Sequence, residues 1–513
     1  MRISSTLFFQ TGLNSINAQQ SDLMHLYQQI GSGQRMVTPA DDPLAAAQAI
    51  NISQSQSMNK RFADNREVAK RNLGIEENTL NSVTLLLQDI KTRLIEAGNG
   101  TLSDQDRSTL SNVLSNARSN LLGLANATDG SGQYLFSGAK GDTAPFQAVG
   151  GSIVYQGDAH QRLIQADQTR KIAGSDVGTD VFNRAAPGTS GYLTAAGQAN
   201  SGSGVIGKPM LSDPSGYGVG NTFTVRFTSE TAYSVDVSDA AGNAVYSFVG
   251  SGFTPGETQT IALQGGVQVD ISGRPAAGDT FTVEPISTPP YSAVPAAGNS
   301  GSLVIGTPRI IDPSLSSPGD AFSVRFTSPT TYEVDLTDAQ GNVLQASISA
   351  GTYDPAGGAP LDLSRGMQLV VMGATAAGDS ISVQPVATGA QTNLNIFDTL
   401  DSIIAGLAQP LGDENALAGF QNLLGSAIQR IDVNYNNVLT VRSSVGARMN
   451  ELDALDANGN QRALGYSQQL SKMEDLDYYS ASTQLQLRTS ALEAAALAFR
   501  KIQATSLFNM KSG

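Results

Sequence analysis

Apolar side chains recur at alternating intervals of three and four residues near both ends of the chain. The first series is Leu13, Ile16, Leu23, Tyr27 and Ile30, with Gln20 in one place. A second series runs from Ala69 to Ala97 and is interrupted only by Glu76. Helices that pack along a seam carry apolar residues at two positions of every heptad, so both series predict long helices in a coiled coil.

The last part of the chain continues this pattern. Its first run is Leu417, Phe420, Leu424, Ile431, Tyr435, Val438, Val445, Met449, Leu452 and Leu455. A break is expected at Asn458-Gly459-Asn460, after which the run resumes with Leu485, Leu492, Ala495, Phe499 and Ile502. Because each stripe needs partner helices, we expect the two ends to form one long antiparallel bundle. An ordinary coiled-coil dimer is the alternative.

The middle of the chain shows the alternation of β-strands and contains a repeat. Residues 223–243 match residues 322–342 at 14 of 21 positions. Apolar and polar residues alternate within each copy, and Ala241-Gly242-Asn243 is typical of a hairpin turn. The segment TPPYSAVPAAGNS between the copies is expected to be a linker. Two tandem β-rich domains are therefore expected, at 200–288 and 301–388.

A third strand-like stretch, residues 134–182, predicts β-hairpins packed on the helices. The predicted fold class is α+β multidomain: a long antiparallel α-helical coiled-coil rod built from both termini, with two tandem β-rich domains inserted in the middle. Residues 1–42 and 465–513 are expected to form the terminal tip. Residues 43–182 and 391–464 are expected to form the rod.

Composition narrows the chemistry that the chain can perform. It has no cysteine and only two histidines, His25 and His160, which excludes thiolate catalysis and disulfides and disfavours a multi-histidine metal site. A net charge of −14 disfavours nucleic-acid binding. No apolar run approaches the roughly 18 residues of a membrane span, and no secretory signal is expected. No catalytic, metal or cofactor site is predicted.

Short motifs that resemble ligand loops are better explained as structural turns. Residues 456–460 begin like an EF-hand loop but lack its glutamate, and the glycines at 216–220 lack the helix that follows a phosphate loop. Asp42 before Pro43 predicts the N-cap of a new helix.

Several stretches at both ends resemble bacterial flagellins and their relatives. They are QQIGSGQRMVTPADDPLAAAQA at 28–49, YLFSGAKGDTAPF at 134–146, VYQGDA at 154–159 and SVGARMNELDAL at 444–455. The start MRISSTLFFQ, the segment Asp41-Asp42-Pro43-Leu44 and the end SLFNMKSG are similar to the members that join hook to filament, rather than to flagellin proper.

The resemblance implies a structural protein rather than an enzyme, with no cofactor. It implies type III export and an extracellular position at the hook–filament junction of a bacterial flagellum. The implied partners are hook-associated protein 1, flagellin, further copies of the chain in a ring, and an export chaperone. Two alternatives are a flagellin filament subunit and a surface adhesin that acts through its β-repeats.

The end helices supply the candidate assembly interface. Polar residues interrupt their apolar stripes, so the runs 1–40 and 465–513 are expected to be disordered in the free monomer and buried by assembly. The candidate residues are Leu13, Ile16, Leu23, Leu492, Phe499 and Ile502. Phe499→Ala is expected to abolish filament attachment while the monomer keeps its stability.

Overall fold

The computed structural model describes residues 5–510 except 188, 190, 215, 288, 289, 313, 316–318, 339, 356–359 and 387–393. For residues 5, 6, 8, 9 and 502–510 it describes the backbone only. The chain forms two compact units. The first contains the described residues up to 70, residues 163–172 and those from 448 onward, and the second contains residues 71–162 and 173–447.

Helices occupy both ends of the chain, as the heptad patterns predict. They are α1 (Ser5–Ser32), α2 (Pro43–Ala97), α3 (Asp104–Ala125), α4 (Gly178–Phe182), α5 (Ile396–Leu407), α6 (Glu414–Glu474) and α7 (Tyr478–Met510). The Asp42 carboxylate accepts the Ala45 N–H at 3.0 Å, which confirms the predicted N-cap before Pro43.

The second heptad series forms the buried face of α2. Its large aliphatic residues are fully buried: Leu73, Leu80, Val83, Leu87, Ile90 and Leu94. The one polar member, Glu76, is also buried, and its carboxylate accepts the backbone N–H of Asp176 at 3.0 Å. This polar residue therefore holds the chain beside α2 rather than interrupting the face.

The expected helix break at Asn458-Gly459-Asn460 is wrong, because α6 runs through these residues without interruption. A Cβ at position 459 would lie 2.5 Å from Nη2 of the buried Arg66, so the glycine makes room for a guanidinium. The break falls after Glu474 instead, and the Asp477 carboxylate accepts the Tyr479 N–H at the start of α7.

Arg66 also fastens a short hairpin within the first unit. It pairs with Asp456 and donates from Nη1 to the Ala166 carbonyl at 2.9 Å. Arg462 binds the Asp167 carboxylate at 2.7 Å on the same hairpin. Charged groups thus hold the hairpin to α2 and α6, and its apolar residues Ala166 and Ile172 are buried as well.

Two hairpins confirm the prediction for residues 134–182. They are formed by β1 (Phe146–Val149) with β2 (Ser152–Tyr155) and by β3 (Leu163–Gln165) with β4 (Lys171–Ala173). Phe146 lies with its ring centroid 5.5 Å from that of Phe182 and 5.2 Å from that of Phe397. These aromatic contacts join the first hairpin to α4 and α5.

The β-rich middle consists of two sets of strands with the same order, which we name the first and second repeat. The first repeat contains β5 (Tyr192–Ala196), β6 (Val205–Ile206), β7 (Met210–Leu211), β8 (Thr222–Ser229), β9 (Ala232–Ser238), β10 (Ala244–Ser251), β11 (Gln259–Ala262), β12 (Val267–Ser272) and β13 (Thr280–Pro285). The second contains β14 (Tyr291–Pro295), β15 (Val304–Ile305), β16 (Arg309–Ile310), β17 (Ala321–Ser328), β18 (Thr331–Thr337), β19 (Val343–Thr352), β20 (Pro360–Ser364), β21 (Met367–Met372) and β22 (Ser380–Pro385).

Each repeat has a five-stranded sheet and a smaller sheet that share one hydrophobic core. The five-stranded orders are β10-β9-β8-β13-β5 and β19-β18-β17-β22-β14. In the smaller sheets, β12 pairs with β6, β7 and β11, and β21 pairs with β15, β16 and β20. The cores contain residues such as Phe223, Phe227 and Phe281 in the first repeat, and Phe322, Phe326 and Ile381 in the second.

The segment TPPYSAVPAAGNS is not only a linker, because it contains β14, which pairs with β22. Its counterpart β5 pairs with β13, so each repeat begins with a strand that lies before the expected boundaries of 200 and 301. Tyr291, Ser292 and Ala293 are all buried. Since both faces of this strand are covered, it lacks the polar alternation that revealed the other strands.

The first repeat is fastened to α6 by amide side chains. Asn422 accepts the Ile206 N–H at 2.8 Å and donates to the Gly204 carbonyl at 2.9 Å. Gln429 donates to the Thr194 hydroxyl at 2.9 Å. A small apolar cluster, Ala185, Leu193, Ile286, Leu394 and Val433, lies beside these contacts.

Candidate assembly surface

Helices α1 and α7 pack against each other in antiparallel directions within the first unit. Near one end, a Cβ at Gly12 would lie 3.2 Å from the Phe499 ring. Further along, Arg488 binds the Asp22 carboxylate at 2.6 Å, and Gly33 lies beside the Tyr478 hydroxyl. The two ends of the sequence therefore pair with each other, as the heptad stripes predict.

The structure brings some of the predicted interface residues together. Ile16 and Leu492 line one groove between the helices and are half-buried. Phe499 is half-buried beside Gly12, and Leu23 is half-buried on α1.

The other predicted interface residues lie elsewhere. Leu13 is 48% exposed, so it does not belong to the contact between α1 and α7. The Ile502 side chain lies outside the described residues, and the predicted role of all these residues in assembly stays a prediction.

Sequence reasoning missed the best-buried residues of the pair. Leu26 is 5% exposed on α1 and Ala481 is 3% exposed on α7, whereas Tyr27, a member of the predicted stripe, is 54% exposed. Leu26 belongs to a heptad series with positions 12 and 19. Those positions hold a glycine and a glutamine, so the series contains no large apolar residue before Leu26. The contact face of α1 is thus rotated from the predicted one, because a small residue allows the closest helix approach.

A hydrogen-bonded turn closes the pair beyond Ser32. The Arg35 N–H donates to the Glu474 carbonyl at 2.7 Å, and the Leu476 N–H donates to the Gly33 carbonyl at 3.0 Å. Gly33 has a φ of +71°, which favours glycine. Backbone hydrogen bonds therefore hold the segment that follows α1 to the junction between α6 and α7.

Asp41 organises the adjoining turn. Its carboxylate accepts the N–H groups of Thr38 and Val37 at 2.8 and 2.9 Å, and it lies 3.0 Å from the His25 ring. The Thr38 backbone donor, supported by the Thr38 hydroxyl, Val37 and His25, lowers the pKa of Asp41 from its ordinary value despite partial desolvation. This histidine and this carboxylate thus fix the turn.

Apolar side chains that no described residue covers lie around the helix pair. On α1 they are Leu13, Met24 and Tyr27, and on α7 they are Tyr479, Leu487 and Leu497, each about half exposed or more. A helix that carries apolar residues on more than one face is usually buried on more than one side. Two helices alone cannot supply that burial, so this surface suits contact with further subunits.

Two kinds of site were sought among the described residues, a metal centre and a membrane span. Among them, no three His, Asp or Glu side chains are grouped as metal ligands would be. None of the helices in the described part of the chain is both long and apolar enough to cross a membrane.

Known flagellar proteins are similar to parts of this chain. The family model described as the bacterial flagellin N-terminal helical region matches residues 3–141. Flagellar hook-associated protein 3 of Salmonella typhimurium is 39% identical over 184 residues, which are 36% of this chain and 57% of that protein. The Escherichia coli protein of the same name is 37% identical, again over 36% of this chain and 57% of the relative.

More distant relatives cover more of the chain. Flagellin of Shigella flexneri is 24% identical over 472 residues, which are 88% of this chain and 77% of that protein. The crystal structure of FlgL from Xanthomonas campestris aligns with a TM-score of 0.53 at 20% identity, over 82% of this chain and 99% of that one. The chain spans just over half the length of the hook-associated relatives that it matches, and it is similar to the bacterial flagellin family and, within it, to flagellar hook-associated protein 3.

Proposed function

We propose that this chain is a structural subunit of the bacterial flagellum that joins hook-associated protein 1 at the hook end to the flagellin filament. The single observation that carries the proposal is the antiparallel pair of α1 and α7, whose outward apolar residues are exposed in the part of the chain that the structure describes. The similarity of residues 3–141 to the flagellin helical region supports a flagellar setting for this pair.

In this role the chain acts by assembly and carries out no reaction. Copies form a ring outside the cell after type III export, for which an export chaperone keeps the terminal segments soluble. The exposed residues of the pair, Leu487 and Leu497 among them, become buried between subunits. Burial of apolar surface is the main favourable free energy of such association.

The repeats form two tandem domains, and the helices wind as a coiled coil. The separate hydrophobic core of each repeat supports the first statement. The unbroken buried series on α2 supports the second.

The experiment removes the gene and examines the cells by electron microscopy. Hooks without filaments, with flagellin lost to the medium, are expected, and the full-length chain should restore filaments. Normal filaments in the deletion strain would contradict the proposal. The adhesin alternative predicts intact filaments with poor adhesion. Exposed aromatic residues on the repeats would favour an adhesin, but the exposed large apolar residues described there are aliphatic.

A further inference from the structure

The dipeptide Asn-Gly occurs at two places in the sequence, residues 99–100 and residues 458–459. Asparagine before glycine is prone to deamidation, because glycine has no side chain to hinder the attack of its nitrogen on the asparagine amide. Both asparagines are exposed, but their backbones differ. Asn99 lies in the loop between α2 and α3, whereas Asn458 lies inside α6. The fold therefore separates two sites that the sequence makes equivalent.

The Asn99 side chain is folded back over the peptide that follows it. Its Oδ1 accepts the Thr101 N–H at 3.2 Å and the Thr101 hydroxyl at 2.9 Å. The first hydrogen bond closes a ring that contains both Asn99 Cγ and Gly100 N, so it keeps the two reacting atoms near each other. Both donors also stabilise the negative charge that forms on Oδ1 during attack.

The reacting groups have no other hydrogen bonds among the described residues. Neither the Gly100 N–H nor the Asn99 Nδ2 group has a partner there. A Cβ at position 100 would meet nothing within 4 Å, so the loop leaves the glycine space to rotate. The attack therefore needs rotation within an exposed loop rather than the opening of a helix.

The backbone at Asn458 prevents the same attack. Gly459 is buried within α6, where an α-helix binds each N–H to the carbonyl four residues before it. The glycine also packs against the Arg66 guanidinium, and the Asn59 side chain donates to its carbonyl at 2.9 Å. Reaction at this site requires the helix to open locally, and buried helical segments open rarely.

We propose that Asn99 is a site of spontaneous deamidation in the folded protein and that Thr101 promotes the reaction. The Gly100 nitrogen attacks Asn99 Cγ, the new C–N bond closes a succinimide ring, and the bond from Cγ to Nδ2 breaks. The Gly100 proton moves to the leaving nitrogen, which departs as ammonia. Water then adds to either ring carbonyl, the C–N bond of that carbonyl breaks, and the nitrogen regains a proton. The products are aspartate and isoaspartate.

The reaction adds a negative charge where carboxylates already lie. Asn99 and Gly100 line a groove of about 380 Å³ together with Asp104, Asp413 and Glu414. Like charges repel, and isoaspartate also lengthens the backbone of the loop. We therefore expect the modified loop to be less stable than the original one. This inference is independent of the proposed function, because the reaction needs only the loop and water.

The experiment incubates the full-length protein at mildly alkaline pH and follows both sites by peptide mass spectrometry, with fragmentation to locate each change. In the folded chain, Asn99 should convert at least about tenfold faster than Asn458, because only Asn458 waits for the helix to open. In guanidinium chloride, which unfolds both sites, the two rates should agree within about twofold. Equal rates in the folded chain, or an intact Asn99 after the unfolded sample has converted, would overturn the proposal.

Single substitutions test the parts played by Gly100 and Thr101. Gly100→Ala fits the open space but hinders the nitrogen, so it should slow conversion at Asn99 by about tenfold. Gly412→Ala, which lines the same groove and also meets no neighbour, is the matched control and should leave the rate unchanged. Thr101→Val removes the hydroxyl donor but keeps the side-chain shape, and it should slow conversion by at least about threefold. An unchanged rate in Gly100→Ala or Thr101→Val, or aspartate without isoaspartate, would refute the mechanism.

Discussion

Leu487→Asp tests whether the outward face of α7 is an assembly surface. Leu487 is 65% exposed, and it lies on a helix whose other side packs on α1. Exposed substitutions away from special features usually change the free energy of unfolding by less than about 0.5 kcal/mol. The purified variant should therefore melt like the parent chain.

The expected effect on assembly is much larger. Full burial of a leucine side chain contributes about 1.5–3 kcal/mol, so covering the exposed two-thirds of Leu487 contributes about 1–2 kcal/mol per copy. Each 1.4 kcal/mol is about tenfold in an association constant. Burying a carboxylate at that position adds a desolvation cost of several kcal/mol, and the loss recurs at every subunit contact.

The assay scores filaments attached to hooks in cells that carry only the variant, alongside thermal melting of the purified protein. Val249→Asp, on the repeat, is the matched control and should leave filaments normal. Normal filaments with Leu487→Asp would refute the assignment of this face to assembly. A melting temperature several degrees lower would instead place Leu487 in the folded core of the monomer.

Three further predictions follow from the packing. Gly446→Ala, which meets no neighbour, should stabilise α6 by about 0.5–1 kcal/mol in urea denaturation, whereas Gly459→Ala should lose that gain because its Cβ displaces the Arg66 guanidinium. Burial raises the pKa of Asp379, but its backbone N–H donors together lower this pKa by more, so the pKa lies below its ordinary value. The ionised carboxylate therefore stabilises the fold above a pH of about 4, and this stabilisation is lost on acidification. Asp379→Asn should flatten the acid limb of a pH melt, and an unchanged limb would contradict this. Deletion of residues 185–390 should leave a helical, motility-supporting protein, and lost helical circular dichroism would contradict the domain map.

The C-terminal end of that deletion lies within residues 387–393, which are outside the described part of the chain. The deletion also removes Ala185, Leu193 and Ile286 from the small cluster beside α6. Some loss of stability near Val433 is therefore expected even when the helices remain folded.

Large aliphatic residues made the helical part predictable from the sequence. The α2 series from Leu73 to Leu94 is buried where its spacing predicts, because a seam of leucine and isoleucine leaves a strong period. The α1–α7 contact was harder, because it relies on Gly12, Leu26 and Ala481. Small residues pack closely without giving a hydrophobic pattern.

The same reasoning explains what was found and missed in the repeats. Strands with one face in water, such as β8, alternate clearly and were predicted. Strands β5 and β14 are covered on both sides and were missed. The helix through Gly459 could not be predicted either, because its reason is the guanidinium of Arg66, far away in the sequence.

The similarity of β8–β9 to β17–β18 also bears on how the chain reaches its fold. Two segments that match at 14 of 21 positions can exchange strands. Strand β8 presents almost the same side chains as β17, so it could pair with β18 as well as with β9. Local hairpins close before pairings that span the 99-residue offset, which favours the correct partner. The edge strands differ as well: β19 has two register shifts against β18 and a positive φ of 49° at Ser347, whereas β10 has one shift. We expect this irregular edge to match β18 better than β9, so that each hairpin pairs with the third strand of its own repeat and strand exchange between the repeats is disfavoured.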